Sequence, residues 1–552
     1  MSRRGAARED LLALGLIIAA TTLAYAHSFA GTWVSDDITA IAENTTLRAL
    51  TFENLRTLFT SRTDGTNYIP LSFLSLAIDY RLWGPDPRGF HLTNLIFHLA
   101  NAAAIYWFVA RLHGARGLAT AAAILWSLHP VQVESVAWIS ERKNVLSTFF
   151  FLLAFHMHLD LGDRPTAGRY AVLLGLYVAA LLSKVNTIVL PAVLLWYEIT
   201  MRRRLRAGDL GRALPLLACG VVIAWANLHD NPSHGAAYHG GSLAVTLRTS
   251  ATTIPRYLLN IVAPFDLMTY YPVTLRASWL DPTVAASVAL IVALAALTVW
   301  CAVRGRPEGF WLGWFGITLA PMLNLVPFPA LMNDRYLYVP LLGALVPLLD
   351  LGGRALAAVG AASSAPLVVG ALSVGLTALT AARVPVFHDP LALWADMGLR
   401  APYITADQPY GPGPRTEEKR LLAAALRQHP DRAVLHNNLG GLAFEDGRLN
   451  DALASFERAQ ARAPDDPVIA LNLGRTYLRL GRSDDALRML RRAVALEPPS
   501  FFARLNLARA HLLAGDVAAA RAELARAKAL RPDPYFWQGL ERALARAEQR
   551  GS

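Results

Sequence analysis

Cysteine is nearly absent from this chain. Its 552 residues hold two, Cys219 and Cys301. Both sit inside apolar runs, which argues against a disulfide framework or a cysteine metal centre. Charge is scarce too: Asp, Glu, Lys and Arg make up 17% of the residues, against about a quarter in ordinary soluble domains. No glycine-rich phosphate loop opens a helix, which argues against a nucleotide-bound substrate. The net charge of +11 is spread along the chain. It reads as solvated faces and loop arginines, and nucleic acid is not expected as a partner.

What the chain has in quantity is apolar sequence, 54% of its residues. Long apolar runs fill 10–381, and the remainder is rich in Ala, Arg, Leu and Asp. Taking about 20 apolar residues per crossing as a loose criterion, the candidate spans are 10–27, 92–110, 117–129, 145–159, 169–184, 187–200, 213–228, 282–303, 310–327, 338–351 and 356–381. The stretch 244–263 fits either an interfacial helix or a half-span. The N-terminus has the basic start and apolar core of a signal peptide, but the spans that follow favour an uncleaved first crossing. Arg3, Arg4 and Arg8 place the N-terminus in the cytoplasm by the positive-inside bias. Alternation then puts "RLHGAR" (111–116), "DRPTAGR" (163–169), "MRRRLR" (201–206) and "RGR" (304–306) on the same side. The "ERK" at 141–143 falls on the other side and needs a separate reason. About 11 spans leave everything beyond residue 381 outside the cytoplasm. The long loops 28–91, 129–144, 229–281 and 328–337 are outer as well.

The end of the chain repeats. "NLGGLAF", "NLGRTYL" and "NLARAHL" begin at Asn438, Asn472 and Asn506, and Gly447, Gly481 and Gly515 keep the same step, as do Pro464, Pro498 and Pro532. A period of about 34 residues is the tetratricopeptide helix–turn–helix pattern. Ala452, Ala486 and Ala520 let paired helices approach, and Phe456, Leu490 and Leu524 fill the gap between them. The expected layout is therefore all-α: a membrane domain at 1–399, a Pro/Gly-rich linker at 400–416 and an α-solenoid at 417–552. Its clear repeats are 433–466, 467–500 and 501–534. Stacked repeats form a concave groove suited to an acceptor protein or peptide; a rigid spacer is the alternative.

The residues able to do chemistry gather in the outer loops. Asp36 and Asp37 follow the first span. His91, Asn94 and His98 recur at helical spacing and would share one face, as a polar helix start or a site wall. The segment "HPVQVESVAWISERKN" (129–144) carries His129, Glu134, Glu141, Arg142 and Lys143. Lys184 and the Asp334–Arg335 pair of "MNDRYLYVP" (332–340) stand at the same level. Cations gathered against the positive-inside trend suit a phosphate ligand, or they snorkel to headgroups. His229, His234 and His239 have the wrong spacing for one helix face, so no metal site is assigned; the residues leave a divalent-ion requirement open. "NTT" (44–46) has the short form of a glycosylation acceptor.

In "SDD" (35–37), "NYIPLSFLSLAID" (67–79), "GFHLTNLIFH" (89–98), "HPVQVESVAWISERKN" (129–144) and "NDRYLYVP" (333–340), followed by the repeats, the chain resembles the transmembrane and tetratricopeptide-repeat O-mannosyltransferases and their bacterial relatives. The resemblance implies a C-type glycosyltransferase fold. It also implies that a sugar leaves a polyprenyl-phosphate carrier and joins a protein Ser/Thr hydroxyl at the outer membrane face. Asp36 or Asp37 would match the first-loop acidic position, the candidate general base. Arg142, Lys143 and Arg335 would match phosphate-holding positions. The implied location is the bacterial inner membrane, with periplasmic repeats. The chain departs from the eukaryotic members in having few repeats. Two other functions stand beside this one: a non-catalytic membrane-anchored scaffold for envelope proteins, and a transferase acting on glycan or lipid. The long polar first loop and the outer cations separate them, since a plain anchor needs neither.

Overall fold

The computed structural model describes residues 3–63, 67–162, 166–229, 238–327, 330–398, 415–531 and 536–551. Among them every regular element is helical. Six helices are long and apolar enough to cross a membrane: Pro87–His113, Ile139–Leu161, Ala207–Leu228, Pro282–Val303, Leu341–Ala358 and Ala362–Phe387. Pro87–His113 and Ile139–Leu161 are about half buried in protein, whereas the other four leave most of their apolar surface open. Leu214, Val221, Val222 and Trp225 on one, Val292 and Val303 on another, and Leu367 and Val374 on a third are largely exposed. Apolar surface on that scale needs a non-aqueous neighbour, and the chain is built as an integral membrane protein.

The expected count of about eleven crossings is not reached by these helices. Arg3–Ala24 has 22 residues but carries Arg8, Glu9 and Asp10 in its first half. Arg116–Ser127 and Glu308–Leu319 have 12 residues each. At 1.5 Å per residue such a helix is about 18 Å long, well short of a hydrocarbon core of about 30 Å. Most of Arg116–Ser127 is buried in protein instead, from Ala121 through Ser127 without a break. An apolar run therefore signals burial, and the solvent that buries it is here often other helices. The ambiguous 244–263 stretch forms two short helices, Leu243–Ala251 and Thr253–Val262.

The first loop is itself structured, with helices Phe52–Thr60 and Pro70–Trp83. Leu47, Leu58, Phe73, Leu76 and Phe90 make a small core there together with Ile139. That packing ties the first loop to the segment carrying the cations.

The repeats form the expected helix pairs. Ala433–Glu445 pairs with Leu449–Arg462, Pro467–Arg479 with Ser483–Leu496, and Phe501–Leu513 with Val517–Leu530. Gly447, Gly481 and Gly515 take φ of 76°, 74° and 82° at the turns, the left-handed conformation that lets a helix stop and reverse. Ala452, Ala486 and Ala520 are fully buried. A Cβ on Gly474 would stand 2.4 Å from the Leu490 side chain, so the two helices of that pair touch because glycine is there. Gln538–Gly551 follows the last pair. The linker at 400–416 lies outside the described residues but for its last two, which begin the helix Arg415–Gln428; Pro532 lies outside them as well. The repeats rest against the membrane part. Leu275 N donates to Glu497 Oε1 at 3.0 Å, and a Cβ on Gly241 would meet the Leu530 Cα at 2.5 Å.

Candidate functional site

The 129–144 segment is polar in sequence yet buried almost throughout. Its hydrogen bonds explain how. His129 starts a short turn by accepting from Val131 N at 3.3 Å, while its Nε2 meets Ile261 O at 2.9 Å. Asn94, from Pro87–His113, donates to both Val136 O and Trp138 O at 3.1 Å. Val136 lies in the last turn of the short helix Val133–Ala137, where carbonyls have no partner within the helix, and Trp138 O accepts from Glu141 N at 3.1 Å as well. The segment then enters Arg142–Leu161.

Asp36 and Asp37 are adjacent and differently placed. The turn at Ser35, with φ of 49°, sends Asp37 inward. Asp37 is fully buried. Its Oδ1 accepts from Ser140 N at 2.7 Å and from the Ser140 hydroxyl, and its Oδ2 accepts from Val34 N at 3.3 Å. Burial pushes its pKa up to about 7, against the pull of those bonds. Asp36 is exposed and lines a cavity of about 190 Å³ with Asn67, Ser72, Ser140 and Lys143. One carboxylate thus pins the first loop onto the 139–144 segment, and its neighbour faces open space opposite a lysine.

Three of the expected phosphate-binding cations converge. Lys143 Nζ is 3.1 Å from Glu141 Oε1, Arg335 Nε is 3.5 Å from the same oxygen, and Lys184 Nζ is 3.7 Å from Oε2. Arg335 also meets Glu134: its Nη1 donates to Oε1 at 2.7 Å and its backbone N to Oε2 at 2.9 Å. Burial pushes the Glu134 carboxyl up although Arg335 pulls it down. Lys184 and Arg335 line a second cavity of about 40 Å³ with Asn144, Asn186, Phe151, Met322 and Val339. Lys143 faces the first cavity. The cation group therefore lies between the two, one with polar walls and one with a large apolar share.

Arg142, grouped with the cations in the sequence, is placed apart from them. It is fully buried and lines neither cavity. Its Nη2 donates to Asp79 Oδ2 at 2.6 Å and to Phe90 O at 2.9 Å, its Nη1 to Ser75 Oγ at 2.7 Å, and its Nε to Asn94 Oδ1. Those contacts clamp Pro70–Trp83 and Pro87–His113 together. His98 bonds Tyr338 Oη at 2.8 Å and Ser127 O at 3.0 Å within the packed core. His91 is buried against Gly31. The shared face of His91, Asn94 and His98 is real, and it meets protein rather than a cavity. Asp334 is buried, accepting from Tyr271 Oη at 2.7 Å and Asn260 Nδ2 at 3.0 Å. Burial, with the nearby Glu134 charge, pushes it up to about 7.

Asn144, Ser140 and Asp79 were not among the expected site residues, and Glu141 was named among the charged residues of 129–144 without a role of its own. Glu141 had a signal, as the acid inside the misplaced "ERK". Asp79 had one too, as a lone carboxylate in the apolar "LSFLSLAID". Among the described residues no group of three His, Cys, Asp or Glu is placed to hold a metal ion; His234 lies outside them.

Residues 443–501 and 481–544 match the family model for the tetratricopeptide repeat. The chain is 33% identical over 206 residues to mouse (Mus musculus) "Protein O-mannosyl-transferase TMTC1", covering 34% of this chain and 22% of that one. It is 33% identical over 158 residues to human (Homo sapiens) "Protein O-mannosyl-transferase TMTC3", covering 27% and 17%. It is 28% identical over 253 residues to "Protein O-mannosyl-transferase Tmtc3" of Drosophila melanogaster, covering 39% and 26%. The chain spans about a quarter or less of the length of these relatives. Among solved structures it aligns with ArnT from Cupriavidus metallidurans in the apo state over 86% of this chain and 79% of that one, at 16% identity and a TM-score of 0.35, too low to carry a fold argument. The chain is a sequence relative of protein O-mannosyl-transferases and carries tetratricopeptide repeats.

Proposed function

We propose that this protein is a membrane glycosyltransferase of C-type fold. It moves a sugar from a polyprenyl-phosphate donor to a protein Ser/Thr hydroxyl on the extracytoplasmic face. The names of its relatives point to mannose. The observation that carries this reading is the cavity bearing Asp36 and Lys143, beside a cation group that includes Lys184 and Arg335. A carboxylate that could act as base thus stands next to a group of cations that could hold a phosphate.

In this mechanism the acceptor hydroxyl enters the polar cavity and gives its proton to Asp36 as its oxygen bonds the anomeric carbon. The bond from that carbon to the phosphate oxygen breaks, and its electron pair leaves with the phosphate. Lys143, Lys184 and Arg335 stabilise the charge that develops there. A single displacement inverts the anomeric centre. The donor's apolar tail suits the Phe151, Met322 and Val339 side of the second cavity. The repeats, resting on the membrane part through Glu497, would hold the acceptor chain near the site.

The test compares intact-mass glycoproteomes of a deletion strain and its parent, with purified protein assayed on polyprenyl-phosphate sugars. Loss of a sugar mass from extracytoplasmic proteins is expected. No lost mass, together with no turnover of any lipid-linked donor, would defeat the reading.

A further inference from the structure

Glu141 is a carboxylate shared by Lys143, Lys184 and Arg335. Its side chain is 2% exposed, whereas those of the three cations are 19%, 14% and 21% exposed. The anion is sealed behind the cations, and the cations reach the cavities. Asn144 fixes this arrangement: its Nδ2 donates to Glu141 Oε2 at 2.8 Å and its Oδ1 accepts from Lys184.

We propose that Glu141 is the resident counter-anion of the phosphate subsite, a positioning residue that converges the three cations and competes with a phosphate for their charge. The inference rests on reading these cations as phosphate-holding. Three cations without a shared anion would repel one another and splay. With Glu141 behind them they remain aimed at one point. The same carboxylate weakens their hold on an incoming phosphate and, after transfer, helps expel the spent carrier. Glu141 thus exchanges donor affinity for product release.

The experiment measures binding of a short-chain prenyl monophosphate to the detergent-purified full chain by calorimetry, with the matching prenyl alcohol as control. Glu141→Gln removes the competing charge and should bind the phosphate about tenfold tighter. Asn144→Asp adds a charge at the bridging position and should bind it about tenfold weaker. Glu141→Asp should stay near the parent value, and the alcohol should not distinguish the proteins. In steady-state transfer Glu141→Gln should lower both the donor KM and kcat, with stronger inhibition by the spent phosphate. A merely structural role would move both variants toward weaker binding, and that outcome overturns the proposal, as does no change in either. If Glu141→Gln does not purify as a folded protein, Glu141→Asn takes its place with the same expectation of tighter binding, and unchanged or weaker binding overturns the proposal. Phosphate binding as expected with no sugar transfer from any lipid-linked donor defeats the transfer reading and leaves this one standing. Absence of phosphate binding in all forms defeats both.

Discussion

The adjacent carboxylates make opposite predictions, and the pair of variants Asp36→Asn and Asp37→Asn separates them. Asp36 is exposed, and its hydrogen bond to Ser35 Oγ is long, at 3.3 Å. Replacing it should leave the unfolding temperature within about a degree, since exposed substitutions usually cost less than about 0.5 kcal/mol. If it is the general base, kcat for sugar transfer should fall by roughly 10²–10⁴ with the donor KM little changed. Asp37 is buried and holds Ser140 through two bonds and Val34 through one. An amide can keep the Ser140 bonds with its oxygen, but it turns an N–H₂ group toward the Val34 N–H, leaving donors facing each other. A buried unsatisfied donor costs on the order of 1–3 kcal/mol. Asp37→Asn should therefore unfold at lower temperature and loosen the first loop, losing activity in proportion to that damage. The assays are thermal unfolding in detergent and initial rates with a polyprenyl-phosphate sugar and an acceptor peptide. Full activity in Asp36→Asn, or equal destabilisation of the two variants, would refute the division of roles.

Arg142→Met should cost roughly 3–5 kcal/mol by leaving the Asp79 carboxylate buried and unpaired, and Arg142→Lys should recover little because one ammonium cannot span the four partners; thermal unfolding checks both. The raised pKa values of Asp37 and Asp334, each about 7, set a sign for pH. Between about pH 4 and 7 the unfolded chain ionises these acids while the native protein keeps their protons. Native protein then binds more protons, so stability falls as pH rises through that window and levels off above it. Asp37→Asn should flatten part of that slope in unfolding scans from pH 4 to 8. Gly474→Val should force the Leu490 contact apart and cost about 1–3 kcal/mol in the repeats, seen as faster proteolysis of 467–500 in the full chain with donor binding intact.

The repeat half of the molecule was legible residue by residue. A helix pair has one way to close at its tightest points, so Gly, Ala and a filling Phe or Leu recur at fixed steps. The membrane half was legible as helical and apolar but not as a count of crossings. Arg116–Ser127 and Pro282–Val303 are both apolar runs, yet one is buried by protein and the other exposes its side chains. Composition does not distinguish the two solvents. Within the site, the nearness of Lys143, Lys184 and Arg335 was expected from their common level. The departure of Arg142 was not, because adjacent residues at a helix start point in directions set by the turn before it.

Sequence by itself determined that this chain is helical, in part membrane-embedded, ends in tetratricopeptide repeats and collects its unusual charges in a few loops. Those properties follow from local periodicity and from the cost of polar groups in an apolar medium. Tertiary structure alone decided which of two neighbouring aspartates faces a cavity and which is sealed, and that Arg142 clamps helices while Lys143 meets the site. It also decided that Glu141 sits at the centre of the cations. Each of these depends on what lies across from a side chain, and the partners are contributed by segments tens to hundreds of residues away.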